Sequence, residues 1–314
     1  MLKISRRLLA FSAASLCTLA LSAVPAVRAA DHGDPPPRSE RDVPLEARLT
    51  DLYAFIRDGN LVLILNSNPA VDSMIIEENE FEFPSNVRFE INIDRHTQIN
   101  FDAADPDLLG GQILNPAGIA PDIVFTIETP EGGEPKLKAR GFSLGKHQFL
   151  ADLKDDPFIR SNRCGANVAA IVLQVPLEDI RLANEPLLIW ATSSIQSHHS
   201  PSGFEQVDHA GRALRSMFLN NDRMNILPPS EHQRNLGVPP DVIILNPDNL
   251  TMKEQVKFPN GREIEDDVVD AVDSPVENTA RFCRINDKPF LNTFPYLADS
   301  HKPIMGPMQC PTKP

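Results

Sequence analysis

Leu52-Tyr53-Ala54-Phe55, Arg57-Asp58-Gly59-Asn60 and Leu61-Val62-Leu63-Ile64-Leu65 make up the stretch on which the fold turns. Two apolar runs flank an Asp-Gly pair, the residues that best tolerate the positive φ angles of a tight hairpin turn. The segment reads as an antiparallel β-hairpin. Further along, Phe89, Ile91 and Ile93 alternate with Arg88, Glu90, Asn92 and Asp94. That period of two belongs to a strand with one face buried. Ile123, Phe125 and Ile127 repeat it, and so do Leu137 and Ala139 between Lys136, Lys138 and Arg140. Val168 to Val175 and Leu187 to Thr192 are continuous apolar runs suited to central strands. The expected fold is mainly β, with antiparallel sheets packed as a sandwich and a few short helices in the C-terminal half.

In that second half, Asp208 to Asn220 reads as a short helix carrying Ala213, Leu214, Met217 and Phe218 on one side. Val242 to Leu245 reads as a strand. Ile264, Val268, Val269 and Val272 share a helical face, with Asp266 and Asp267 favourably placed near its start. Residues 197–240, rich in Pro, Ser and His, read as the most loop-like interior stretch.

The chain has 314 residues, a formal charge of −13 and 29 Pro, a Pro share well above the usual value of about 5%. The acidic balance argues against nucleic acid as a partner, because phosphates call for a basic footprint. Residues 1–29 read as a cleaved signal peptide. Lys3, Arg6 and Arg7 precede an apolar run from Leu8 to Val24, and Val27-Arg28-Ala29 offers a small-residue cleavage site. Ser5-Arg6-Arg7-Leu8-Leu9 also fits a twin-arginine signal, although ordinary signals carry paired arginines too, and the export route stays open. The expected product is a single β-rich domain over residues 30–314, periplasmic or secreted, with no transmembrane segment. Cleavage leaves 26 of the 30 bases against all 43 acids, a formal charge of −17. Three Cys then remain in an oxidising compartment, and Cys283–Cys310 is the preferred pair because it would tie down a Pro-rich tail.

Several segments, in order, resemble a bacterial exported family known only as domain of unknown function 4331. They are Asp31-His32-Gly33-Asp34-Pro35, Thr50-Asp51-Leu52-Tyr53-Ala54-Phe55, Phe89-Glu90-Ile91-Asn92-Ile93-Asp94 and Ile189-Trp190-Ala191-Thr192. Asp208-His209-Ala210-Gly211-Arg212-Ala213, Asn260-Gly261-Arg262 with Asp266 to Asp270, and Asn292-Thr293-Phe294-Pro295-Tyr296-Leu297 complete the series. The resemblance implies an exported, β-rich fold and no particular activity. Family members often follow the hallmark strand with an Asp/Asn/Gly-rich turn that suggests calcium. Here Asp94-Arg95-His96-Thr97-Gln98 departs from that pattern.

Motifs for hydrolase elbows, phosphate loops, zinc-protease helices, C-x-x-C pairs and haem attachment do not occur in the sequence. Three groups of residues can carry chemistry. His32 and Asp34 near the mature start, with Asp51 and Asp94 at strand ends, offer imidazole and carboxylate ligands for a divalent metal, calcium or a transition ion. The bland alternative is that the strand carboxylates satisfy turn N–H groups. His198, His199 and His209, with Ser200, Ser202, Glu205 and Asp208, form a second group from which a hydrolase or oxidoreductase site can be drawn. The third is Asp94, Asp102, Asp105 and Asp107, a loose calcium set or an ordinary acidic loop. Trp190, Tyr53 and Phe55 read as core, while Phe290, Phe294 and Tyr296 read as core or pocket lining. The expected function is a binding or structural module for a protein or small molecule, holding a divalent metal. The alternative is an enzyme built on the His198–His209 loop.

Overall fold

The computed structural model describes residues 43–68, 81–102, 110–157, 165–182, 185–213, 221–248, 259–266, 268, 286 and 288–302. His32, Asp34, Cys164, Cys283, Cys310 and the expected signal segment lie outside the described residues, as does most of the helix expected from Ile264 to Val272. The protein is mainly β. Strands β1 (Leu49–Arg57) and β2 (Asn60–Ser67) form the hairpin, closed by Asp58 at φ 51° and Gly59 at φ 74°. Both central turn residues thus take the left-handed conformation that the Asp-Gly pair anticipates.

The remaining strands are β3 (Val87–Asp94), β4 (Ile99–Asn100), β5 (Gln112–Ile113), β6 (Ile123–Glu128), β7 (Lys136–Arg140) and β8 (Gln148–Asp155). They continue with β9 (Asn167–Pro176), β10 (Leu187–Gln196), β11 (Phe204–Ala210) and β12 (Ile243–Leu245). One large sheet runs β1-β2-β9-β8 and the other β11-β10-β3-β6-β7, β4 and β5 pair as a small ribbon, and every described strand pairing is antiparallel. β10 shares its outer edge between β11, along Ala191 to Gln196, and β12, along Leu187 to Ile189. Short helices α1 (Leu177–Ile180), α2 (Asn221–Met224) and α3 (Pro229–Leu236), with single 3-10 turns at Leu45–Ala47 and Pro116–Gly118, complete the described elements.

Alternation along the strands sorts the apolar side chains into three layers. Between the sheets lie Leu52, Ala54, Leu61, Leu63, Leu65, Ile171 and Leu173 from the first sheet. Phe89, Ile91, Ile93, Ile123, Phe125, Ile127 and Ile189 meet them from the second. A second apolar layer covers the outer face of the first sheet, where Tyr53, Phe55, Val62, Ile64 and Val172 lie beneath Ile264, Tyr296 and Leu297. A third, of Leu188, Trp190, Val242, Ile244 and Ile119, covers part of the outer face of the second sheet. Trp190 and Tyr296 are therefore core residues.

One expectation for the second half is corrected. Phe204–Ala210 is a strand, so Asp208 to Ala210 are not helical, and residues 214–220 lie outside the described ones. Residues 197–240, for all their loop-like composition, contain β11, α2 and α3. The reason is tertiary: the open edge of β10 supplies a ladder that no local signal in Phe204–Ala210 announces.

The Asn260-Gly261-Arg262 segment stitches one lateral edge of the sandwich. Gly261 N–H donates to Ile244 O in the second sheet at 2.8 Å, while Arg262 and Ala54 in the first exchange backbone bonds of 2.8 and 3.0 Å. Gly261 sits at φ 77°, and a Cβ there would stand 2.6 Å from Ala54 O and 2.8 Å from Leu245 Cδ1. Gly261→Ala combines a left-handed backbone with a clash against main chain. It is expected to cost about 2–4 kcal/mol in urea unfolding, whereas the same change at Gly59, where a Cβ meets nothing within 4 Å, pays only the backbone strain.

Candidate functional site

Buried polar groups gather at four places, each holding a segment against a sheet. The most enclosed lies where β11 ends and β12 begins. Asp208 turns toward β1, its Oδ2 accepting the Leu49 N–H at 2.8 Å. His209 points the other way, onto the outer face of the second sheet. Its Nε2–H donates to Asp241 O at 2.8 Å, with Asp241 Oδ2 at 3.5 Å. Asp241 also accepts the Arg212 N–H on Oδ1 at 2.9 Å. The Asp241 N–H in turn donates to His232 Nδ1 at 3.1 Å, and His232 Nε2–H donates to Leu227 O at 3.1 Å. These partners fix both rings as neutral Nε2–H tautomers. The rings meet edge to face with centroids 5.4 Å apart. Gly211 makes the approach possible, since a Cβ there would lie 2.4 Å from Asp241 O.

Burial pushes the His209 imidazole down to about 4, against the bond to Asp241, which works the other way. His232 is likewise pushed down to about 4, first by burial and then by the neighbouring His209, with the Asp241 charge opposing. The cluster contains two bases and a carboxylate, yet each Nε2 proton is committed to a main-chain carbonyl and His209 is sealed from solvent. A general acid or base must come within hydrogen-bond reach of the substrate's proton. This cluster is built to hold α3 and β12 against β11.

Asp94 ends β3 and spends both oxygens on the following turn. Oδ1 accepts the N–H groups of His96 and Thr97 at 2.8 and 3.0 Å, and Oδ2 accepts the Thr97 hydroxyl at 2.7 Å and the Ala120 N–H at 3.0 Å. Asp51 is buried in β1 on the face it shares with Tyr53. Arg262 Nη2 donates to its Oδ1 at 2.7 Å, and the guanidinium lies over the Tyr53 ring, 4.2 Å from the centroid. The fourth place is the C-terminal strap, residues 286–302. There His301 Nε2 meets Asp155 Oδ1 at 2.7 Å, Asn286 Nδ2 donates to Asp155 Oδ2 at 2.6 Å, and Asn167 exchanges bonds of 3.0 and 2.7 Å with the His301 backbone. Burial works against the neighbouring Lys154 ammonium, but hydrogen bonds to Asp152 and Asp299 outweigh it and hold its pKa above the ordinary value.

Of the four-residue metal set of His32, Asp34, Asp51 and Asp94, the two described members, Asp51 and Asp94, stand apart. Asp51 shares the outer face of the first sheet with Tyr53, and Asp94 shares the outer face of the second with Asn92, so the thickness of the sandwich separates them. Among the described residues no three His, Cys, Asp or Glu side chains group closely enough to hold a metal ion. Asp102 is exposed in a turn, and Asp105 and Asp107 lie outside the described residues. The second group is also divided. His198 and His199 are in the turn beyond the Gln196–Phe204 pair, whereas His209 pairs with Thr192 at the far end of the ladder, about 17 Å away along β11. Ser200, Ser202 and Glu205 stay with the turn, the two hydroxyls bonded to each other at 2.9 Å.

His232, Asp241, Asp155 and His301 carry much of this polar architecture without any local signal in the sequence. Comparison with protein-family models, with curated proteins and with solved structures finds no match.

Proposed function

We propose that the chain is an exported β-sandwich that binds a partner rather than transforming a substrate, as a member of the family its segments resemble. One observation carries this reading. The buried acids and imidazoles at the four polar places are engaged in tying turns and straps to the sandwich, and the residues of the rival hydrolase or oxidoreductase site sit at opposite ends of β11. A divalent metal belongs to the proposal through His32 and Asp34. Asp94 is saturated by four donors, and a second cation beside Asp51 would face the charge of Arg262.

The test is metal analysis by mass spectrometry on protein purified from the periplasm without chelator, with melting before and after EDTA. About one equivalent of a single metal is expected, with a Tm that falls on chelation. His32→Ala with Asp34→Ala removes the metal, and Asp94→Ala lowers stability without changing the metal content. Protein recovered from the periplasm begins at Ala30 or Asp31. Metal-free protein with an unmoved Tm refutes the metal part. Turnover of generic ester or phosphate substrates that is lost in His199→Ala or His209→Ala refutes the non-enzymatic part.

A further inference from the structure

β7 is an edge of the second sheet, paired only with β6 among the described residues. Its five residues alternate strictly. Leu137 and Ala139 pack partly against the core, and Lys136, Lys138 and Arg140 are exposed. Lys138 Nζ bonds Glu128 Oε2 at 2.7 Å, whereas among the described residues Lys136 and Arg140 make no ion pair. Lys146 and His147 follow, both exposed, and no acid occurs between Glu134 and Asp152. In a chain of formal charge −13 this is a local reversal of sign.

An edge strand presents unpaired N–H and C=O groups, and lysines along it repel strands of the same charge, including a second copy of β7. The same stripe selects a strand of opposite charge. Cations two residues apart on a strand are about 7 Å apart, which matches carboxylates at every second residue of an extended neighbour. We propose that β7 receives an extended acidic segment of a partner protein as an added strand, with main-chain bonds along the edge and its alternate carboxylates beside Lys136 and Arg140. This deepens the binding-module reading and rests on it, but it makes no use of the metal. A metal-free chain would leave it standing.

The experiment uses the purified chain and fluorescein-labelled Thr-Glu-Val-Glu-Val-Glu-Thr, read by polarisation at low and high salt. Saturable binding is expected, weakened at high salt. A peptide of the same composition with its three Glu adjacent should bind at least tenfold more weakly. Of two N-methylated forms, each blocking one alternate set of amides, one should lose binding and the other keep it. Lys136→Glu with Arg140→Glu should lower affinity at least tenfold with an unchanged circular dichroism spectrum. If that pair fails to fold, Lys136→Gln with Arg140→Gln is read instead. No saturable binding overturns the proposal. So does equal binding of the adjacent-Glu peptide, of both N-methylated forms or of a heparin fragment, since each would mean a bare polyanion patch.

Discussion

Lowering the pH from 7 to 4 is expected to remove about 3 kcal/mol of stability for a single ring of the His209–His232 pair. Both imidazoles sit near 4 in the folded protein, against an ordinary 6.5, so between those values the unfolded chain binds more protons than the native one. Stability then rises with pH. The contribution is complete above 6.5 and is lost as pH falls toward 4. The two rings are not additive, because charging His209 disfavours charging His232. Protonation also has a local cost. A proton on His232 Nδ1 removes the acceptor of the Asp241 N–H, and one on His209 Nδ1 places a charge where no hydrogen-bond partner waits among the described residues. Urea unfolding at pH 7.5, 5.5 and 4.5 measures the slope. His209→Gln and His232→Gln keep a side-chain donor and cannot titrate, so each should flatten it. If the slope is the same in the wild type and both variants, the acid lability belongs to the carboxylates.

Arg262→Met is expected to destabilise the protein by about 3–5 kcal/mol. It removes the guanidinium from the fully buried Asp51 carboxylate, its bond to Leu52 O and its stacking over Tyr53. Because Arg262 is also the residue whose backbone joins Ala54, the loss should loosen the stitch that Gly261 makes between the sheets. Asp51→Asn alone keeps the shape and costs less. The double variant, with no charge left at either position, should recover part of the loss, as replacing both members of a buried pair often does. Guanidinium unfolding of the three variants closes the cycle. An Arg262→Met protein within 1 kcal/mol of the wild type would mean that the pair carries no such weight.

The hairpin at Asp58-Gly59 and the strands around Phe89, Ile123, Leu137, Val168 and Leu187 were legible because burial of one strand face writes itself into a local period of two. β8 and β11 were not. Gln148–Asp155 and Phe204–Ala210 are polar enough that no local pattern marks them, and each exists because a neighbour, β9 or β10, offers an edge to complete. Ala213, Leu214, Met217 and Phe218 favoured a helix beginning at Asp208, but the ladder beside β10 claims Asp208, His209 and Ala210.

The candidate site shows the same division more sharply. Asp51 and Asp94 were recognisable as polar residues at strand ends and His209 only as a member of the His198–His209 group, and the bland account of Asp94, a carboxylate satisfying turn N–H groups, describes what it does. Their partners were not recognisable: Arg262 lies 211 residues from Asp51, and Asp241 lies 32 from His209. Nothing in the chain near either residue signals the pairing.

By itself, the sequence determined the mainly β class, the hairpin, the alternation that divides each strand between two faces and the basic stripe on β7. All of these are set within a few residues by side-chain period and turn chemistry. Only the tertiary structure decided that Asp51 and Asp94 stand on opposite faces, that His209 is sealed beside His232, and that the strap residue His301 meets Asp155. A carboxylate or imidazole carries the same chemistry wherever it falls in the chain. Whether it binds, reacts or merely fastens depends on which donors and acceptors the packing of two sheets brings within 3 Å of it.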